Sequence, residues 1–76
     1  MTHLRSAKHV ALVAVIVRAR NAADLTQRQL AAKLRRSNSF VWKIEAGERQ
    51  VKALELIEIA RALGLKASAL LAEMNE

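Results

Sequence analysis

Apolar and polar positions along this chain recur at helical spacing rather than in the two-residue rhythm of a strand. From Leu25 to Gly47 the sequence reads LTQRQLAAKLRRSNSFVWKIEAG. Thr26 and Gln29 are spaced for a capping box, Thr26 accepting from the amide three residues on and Gln29 reaching back to the amide of Thr26. Leu25, Leu30, Ala31 and Leu34 then share one face, which predicts a helix over 26–34. The polar run Arg35-Arg36-Ser37-Asn38 interrupts it, and Ser37 is a good N-cap for a second helix over 38–46. In that helix Val41 and Ile44 point inward, whereas Ser39, Trp42, Lys43 and Ala46 point the other way. Two short helices joined by a tight turn, the second with a polar and basic outer face, form the layout that places a helix in a DNA major groove.

Upstream, the pattern predicts one long helix over 6–22, with residues 1–5 frayed. With Ile16 at the centre of a face, Leu12, Ala19, Arg20 and Ala23 lie within about 60° of it at about 100° per residue. Val10, Ala14 and Val17 lie on a different side and Val15 on the opposite flank, so only Arg18 and Asn21 mark a wet direction. A helix apolar almost all round has to be covered on more than one side. Two covers are open, a subunit interface or the last helix of the same chain. Downstream, Gly47 and the polar Glu48-Arg49-Gln50 form a loop before a fourth helix over 52–63, with Leu56, Ile59, Ala60 and Leu63 on one face. Gly64 suits the left-handed residue that ends such a helix, and Leu65 the apolar contact that follows it. A last helix over 67–74 carries Leu70, Leu71 and Met74. The expectation is therefore all-α: five helices in a single domain, 1–76, without internal repeats or low-complexity linkers.

Composition narrows the partner. The chain has no Cys, so neither a disulfide framework nor a thiolate metal site is available. It has no Pro and only two Gly, which favours helices throughout. The formal charge of +6 points to an acidic partner, nucleic acid first. The charge is also clustered. Arg28, Lys33, Arg35, Arg36, Lys43, Arg49 and Lys52 against Glu45 and Glu48 give 26–52 a net of +5, whereas 53–76 is net −2. Solvation of a small helical protein explains the total but not the clustering. The apolar run Val10 to Val17 is too short to span a bilayer, which needs ~20 residues. Without a signal-peptide cleavage region either, the chain reads as cytoplasmic, nucleoid-associated through DNA, with no membrane partner.

These residues resemble the phage-repressor-like helix-turn-helix domains of the lambda repressor and Cro kind, the Xre type. The matching pattern is Arg20, Leu25-Thr26-Gln27, Leu30-Ala31, Lys33-Leu34, Ser37, Val41, Ile44-Glu45, Gly47, Leu56, Ala60, Leu63-Gly64 and Leu70, in one register without gaps over 12–72. LTQ or IEAG alone is weak; the full spacing is what carries the likeness. The resemblance implies a five-helix lambda-repressor-like fold with its helix-turn-helix unit at 26–46. It implies that Glu45 and Arg20 form a partly buried ion pair tying the recognition helix to the first helix. It places Gln27 on a DNA phosphate, and Asn38, Ser39 and Lys43 on base edges; Asn suits adenine and Lys suits guanine O6/N7. Arg28, Arg36, Ser37, Arg49 and Lys52 are placed for backbone contacts, which position without specifying.

Three departures qualify the likeness. Arg35 stands where a Gly usually follows the second helix, so either a non-glycine residue adopts the left-handed conformation, at about 1–2 kcal/mol, or the turn is shaped differently. Lys52 replaces the usual Ser or Thr cap of the fourth helix, which should then start less firmly. Phe40 and Trp42 flank the recognition helix where polar residues are commoner. They either contact thymine methyls or the sugar–phosphate wall, or pack against neighbouring helices or the 48–50 loop.

The resulting expectation is a sequence-specific regulator of transcription that binds double-stranded DNA, acting as a repressor on a palindromic operator as a homodimer. The apolar excess at Val10 and Val17, or at Leu71 and Met74, would supply the dimer contact. The alternative is an antitoxin, which shares the fold but also binds a toxin protein; the short tail Asn75-Glu76 argues mildly against it. A protein-interaction module that kept the fold and lost DNA binding is a third reading, against which the basic surface speaks. No enzyme, cofactor or metal is expected. His3 and His9 read as exposed surface residues, and their spacing is neither three nor four, so they form no helical metal pair.

Overall fold

The computed structural model describes residues 6–74, which fold into five helices and, among these residues, no strand. They are α1 (Ala7–Ala22), α2 (Gln27–Leu34), α3 (Asn38–Glu45), α4 (Ala53–Ala62) and α5 (Ala67–Met74). The expected fraying of 1–5, His3 and the tail Asn75-Glu76 lie outside the described residues. Each helix falls where the periodicity puts it, and the differences at the ends are caps. Ser6, Thr26, Ser37 and Lys52 are extended N-cap residues. The Thr26–Gln29 box is complete, with the Gln29 amide donating to Thr26 Oγ1 at 3.0 Å and the Thr26 amide donating to Gln29 Oε1 at 2.9 Å.

One device ends the first four helices. A left-handed residue donates its amide to the carbonyl three back, and the next residue donates to the carbonyl five before itself, the Schellman arrangement. At α4 these are Gly64 to Arg61 and Leu65 to Ala60; at α3, Gly47 to Ile44 and Glu48 to Lys43. At α1 and α2 the left-handed residue is not glycine. Asp24 has φ 65 and Arg35 φ 57, with Asp24 bonded to Asn21, Leu25 to Arg20, Arg35 to Ala32 and Arg36 to Ala31. The turn therefore keeps its family shape, and Arg35 carries the strain. Asp tolerates this region better than Arg, because a short polar side chain bonds locally.

The core is built from the predicted stripes together with Val15 and Phe40: Val15, Ile16, Leu30, Ala31, Phe40, Val41, Ile44, Leu56, Ile59, Ala60 and Leu70 are buried. Helix α2 packs on α3 and α4, and α1 on α3 and α5. Helix α5 packs on α1 and covers the flank that holds Val15, while Val10 on the other side stays exposed. Val15, expected on the far flank, is 3% exposed and lies with Leu70 and Leu65 where the two helices meet. Ala23, expected on the core face, is exposed because the helix has already ended there. His9 departs from its reading as an exposed residue: it is half-buried, and its Nε2 is buried without a hydrogen-bond partner among the described residues.

Candidate nucleic-acid interface

Helix α3 is eight residues long, and its side chains divide sharply. Phe40, Val41 and Ile44 are buried, while Asn38, Ser39, Trp42, Lys43 and Ala46 are exposed. The outer face is continued by the start of α2: Gln27, Arg28, Asn38, Ser39 and Trp42 line one shallow hollow of about 350 Å³. The capping box at Thr26 consumes the Gln29 amide, and Leu30 bonds back to Thr26, so in that first turn the Gln27 and Arg28 amides keep no partner inside the helix. A helix start of this kind suits an anion.

The orientation of α3 is set from below by one carboxylate. Glu45 Oε2 accepts from Arg20 Nε at 2.6 Å, and Glu45 Oε1 accepts from Arg20 Nη2 at 3.0 Å and from Gln27 Nε2 at 2.8 Å. Arg20 Nη1 also donates to the Leu25 carbonyl at 2.7 Å. The two charged side chains are only 12% and 7% exposed. One group thus joins the end of α1, the α1–α2 connection, the first residue of α2 and the last of α3. Gln27, expected at a phosphate, gives one side-chain N–H to Glu45, leaving its second N–H and its backbone amide as donors.

A second tie lies behind the turn. Glu55, at the third position of α4, is buried, and its two oxygens accept from Arg49 at 2.9 and 3.2 Å. The Lys52 amide donates to the same carboxylate at 2.9 Å, and Arg36 approaches it at 3.7 Å. The guanidinia of Arg36 and Arg49 also stack over the Phe40 ring, 4.4 and 4.8 Å from its centroid. Cation, ring and carboxylate lock the turn, α3, the 48–50 loop and α4 together. The Arg49 guanidinium, hydrogen-bonded to Glu55, leads in holding its carboxyl below the ordinary value, against the desolvation that burial imposes; the Lys52 amide and Arg36 add to the lowering.

This tie revises several expectations. Arg36 and Arg49, placed on the DNA backbone by analogy, also serve a structural pairing, because a buried Glu55 without cations would be costly. Lys52 cannot accept a hydrogen bond, yet α4 starts firmly, since Glu55 caps the Lys52 amide. Ser37 sits at the N-cap of α3, but its hydroxyl is 3.0 Å from Ser39 Oγ and does not cap a backbone amide. Phe40 is 8% exposed and belongs to the core, whereas Trp42 is 49% exposed on the outer face. Arg28, Lys43 and Lys52 are exposed and unpaired among the described salt bridges. Of the expected dimer residues, Val10 and Leu71 are exposed, Val17 is half-buried and Met74 packs against the core. Among the described residues the most exposed large apolar side chain is Leu54 at 74%, followed along the same face of α4 by Ile57 at 44%. The sequence signal for that pair was present, since Leu54 and Ile57 lie off the stripe Leu56, Ile59, Ala60 and Leu63.

Five helices, with a short second and third joined by a tight turn and an exposed polar face on the third, define a helix-turn-helix DNA-binding domain. The family described as "Helix-turn-helix domain" matches residues 11–74. Comparison with curated proteins returns no match. Among solved structures, an XRE-family like protein from Pseudomonas syringae pv. tomato str. DC3000 is 40% identical at a TM-score of 0.84, the match covering 90% of this chain and 83% of that one. The clp gene regulator ClgR from C. glutamicum is 28% identical at a TM-score of 0.82, the match covering 91% of this chain and 88% of that one. The chain belongs to the Xre-type helix-turn-helix family of DNA-binding transcription regulators.

Proposed function

We propose that this protein is a sequence-specific repressor, cytoplasmic and bound to DNA as a homodimer across two half-sites of a palindromic operator. The observation that carries the reading is the outer face of α3, continuous with the start of α2 and fixed by the buried Arg20–Glu45–Gln27 group. Asn38, Ser39 and Lys43 read base edges, and Arg28, Lys52, Ser37 and the first turn of α2 contact phosphates. One eight-residue helix meets only a few base pairs, so specificity calls for two copies about 34 Å apart. A dimer seated across an operator needs no further contact to exclude a polymerase, which favours repression over activation.

The joining surface we assign is the outer face of α4. Leu54, Ile57, Glu58 and Arg61 lie within about 50° of one direction on that helix. In an antiparallel two-fold pairing the leucine and isoleucine are covered, and Glu58 of one copy meets Arg61 of the other. Selection of bound duplexes from random DNA, followed by footprinting, tests the reading: the expected product is a palindrome, and a protein that enriches nothing is not a regulator of this kind. Affinity is expected to fall about 10³–10⁵-fold between 50 and 200 mM salt for ~6–10 phosphate contacts.

A further inference from the structure

Trp42 is the only tryptophan, and it stands on the outer face of α3 one turn from Asn38 and Ser39. A side chain of this size is ordinarily covered, yet here it is 49% exposed. Both stacked guanidinia sit on Phe40, and among the described residues no cation stacks over the indole. It forms instead one wall of the hollow whose other walls are Gln27, Arg28, Asn38 and Ser39. The exposed surface of this hollow is mostly apolar although three of its five residues are polar amides or a hydroxyl.

A major groove offers hydrogen-bonding groups at every base pair but only one apolar group, the C5-methyl of thymine. An indole presented to that groove therefore finds a matching partner only there. We propose that the Trp42 hollow is a thymine subsite, in which the ring covers the C5-methyl of one thymine per half-site while Asn38, Ser39 and Lys43 hydrogen-bond to neighbouring bases. The inference rests on the DNA-reading function proposed above and adds the base that the aromatic residue selects. It also gives Arg28 a second task, since its stem closes the hollow while its charge faces the backbone.

The test uses the site enriched from random DNA. Duplexes carrying deoxyuridine in place of each thymidine in turn lose one methyl and nothing else. At one thymine per half-site, the replacement is expected to weaken the wild-type protein by about three- to tenfold, as burial of a single methyl group predicts. Trp42→Ala should bind the thymidine and deoxyuridine duplexes equally. A half-exposed side chain can be truncated without emptying the core, and circular dichroism checks that the variant is folded. A readout without any variant accompanies it: Trp42 emission should shift more with the thymidine duplex than with its deoxyuridine counterpart. If every deoxyuridine duplex binds as the parent does, or if Trp42→Ala weakens all duplexes evenly, the ring lies against sugar and phosphate and the subsite is refuted while DNA reading stands. If no site is enriched at all, the DNA-reading function falls and the subsite with it.

Discussion

The Arg20–Glu45 pair makes the strongest demand on this structure. Truncating Glu45 to Ala leaves Arg20, 12% exposed, without its carboxylate, and frees the Gln27 amide. Removing one partner of a buried pair costs about 3–5 kcal/mol, because the remaining charge stays desolvated. The lower end applies here, since Arg20 keeps the Leu25 carbonyl at 2.7 Å. A loss of about 3 kcal/mol is a large share of the ~5–15 kcal/mol that holds a domain together. At about 4–8 °C per kcal/mol for a domain of this length, the melting temperature of Glu45→Ala should drop by about 12–24 °C. Salt should not reproduce the effect, as partly buried pairs are screened little. The double variant Arg20→Leu/Glu45→Leu removes both charges and should recover most of the stability, because hydrophobic replacement of a buried pair is often neutral or better. Thermal and urea unfolding followed by circular dichroism measures all of this. An unchanged midpoint for Glu45→Ala, or a double variant as unstable as the two single losses added, would refute the argument. DNA affinity separates the two roles: the double variant should fold yet bind weakly, because α3 is no longer held to α1 and α2.

Three further predictions rest on single features. Arg35→Gly should raise stability by about 0.5–1 kcal/mol, the relief of a left-handed arginine less the greater backbone freedom of glycine in the unfolded chain; urea midpoints read it, and a destabilised variant would show that the Arg35 side chain contributes something the backbone geometry does not reveal. Glu55→Gln should lose about 1–2 kcal/mol at neutral pH as its charge-assisted hydrogen bonds weaken. The folded value of Glu55 is depressed, so this stability is fully present above the ordinary value of 4.5 and is lost as pH falls through the lower folded one; the gap between wild type and variant should narrow below pH 4.5 and close, and a gap independent of pH would contradict the assignment. Leu54→Glu should convert the dimer to monomer in sedimentation, whereas Val10→Glu should not; the reverse outcome would move the interface from α4 to α1.

The fold was legible because local and long-range signals agree. The helices carry apolar residues at helical spacing, Ser6 and Thr26 cap α1 and α2, and a glycine follows α3 and α4, so bounds and packing faces follow largely from neighbours in sequence. What the chain order hides is the pairing of charges. Arg49 and Arg36 belong to a run that reads as a DNA-binding surface, and only the approach of α4 to the turn reveals that a buried carboxylate claims both. Glu55 itself was masked, because a capping box is sought behind Ser or Thr and here stands behind Lys52, which supplies an amide but no acceptor. The cover of α1 was equally non-local: only the approach of α5 shows what covers the Val15 flank.

The two aromatics of α3 show where such reading stops and what replaces it. Phe40 and Trp42 are two residues apart, which on a helix puts them about 200° from each other, so at most one can share the core stripe. The stripe favours Phe40, which lies about 40° from Ile44 on the helix, whereas Trp42 lies about 160° from it. The cluster around Glu55 then holds Phe40 in place. Two guanidinia brought in to neutralise that carboxylate need a face to lie against, and Phe40 is within reach of both, at 4.4 and 4.8 Å. Once Phe40 is held there, helical geometry turns Trp42 outward between Asn38 and Lys43. The outward setting of Trp42 is thus reinforced by an ion pair on the opposite side of the helix. Replacing Glu55 should therefore alter not only stability but also the emission of Trp42, and unaltered emission would mean that the two sides of α3 are independent.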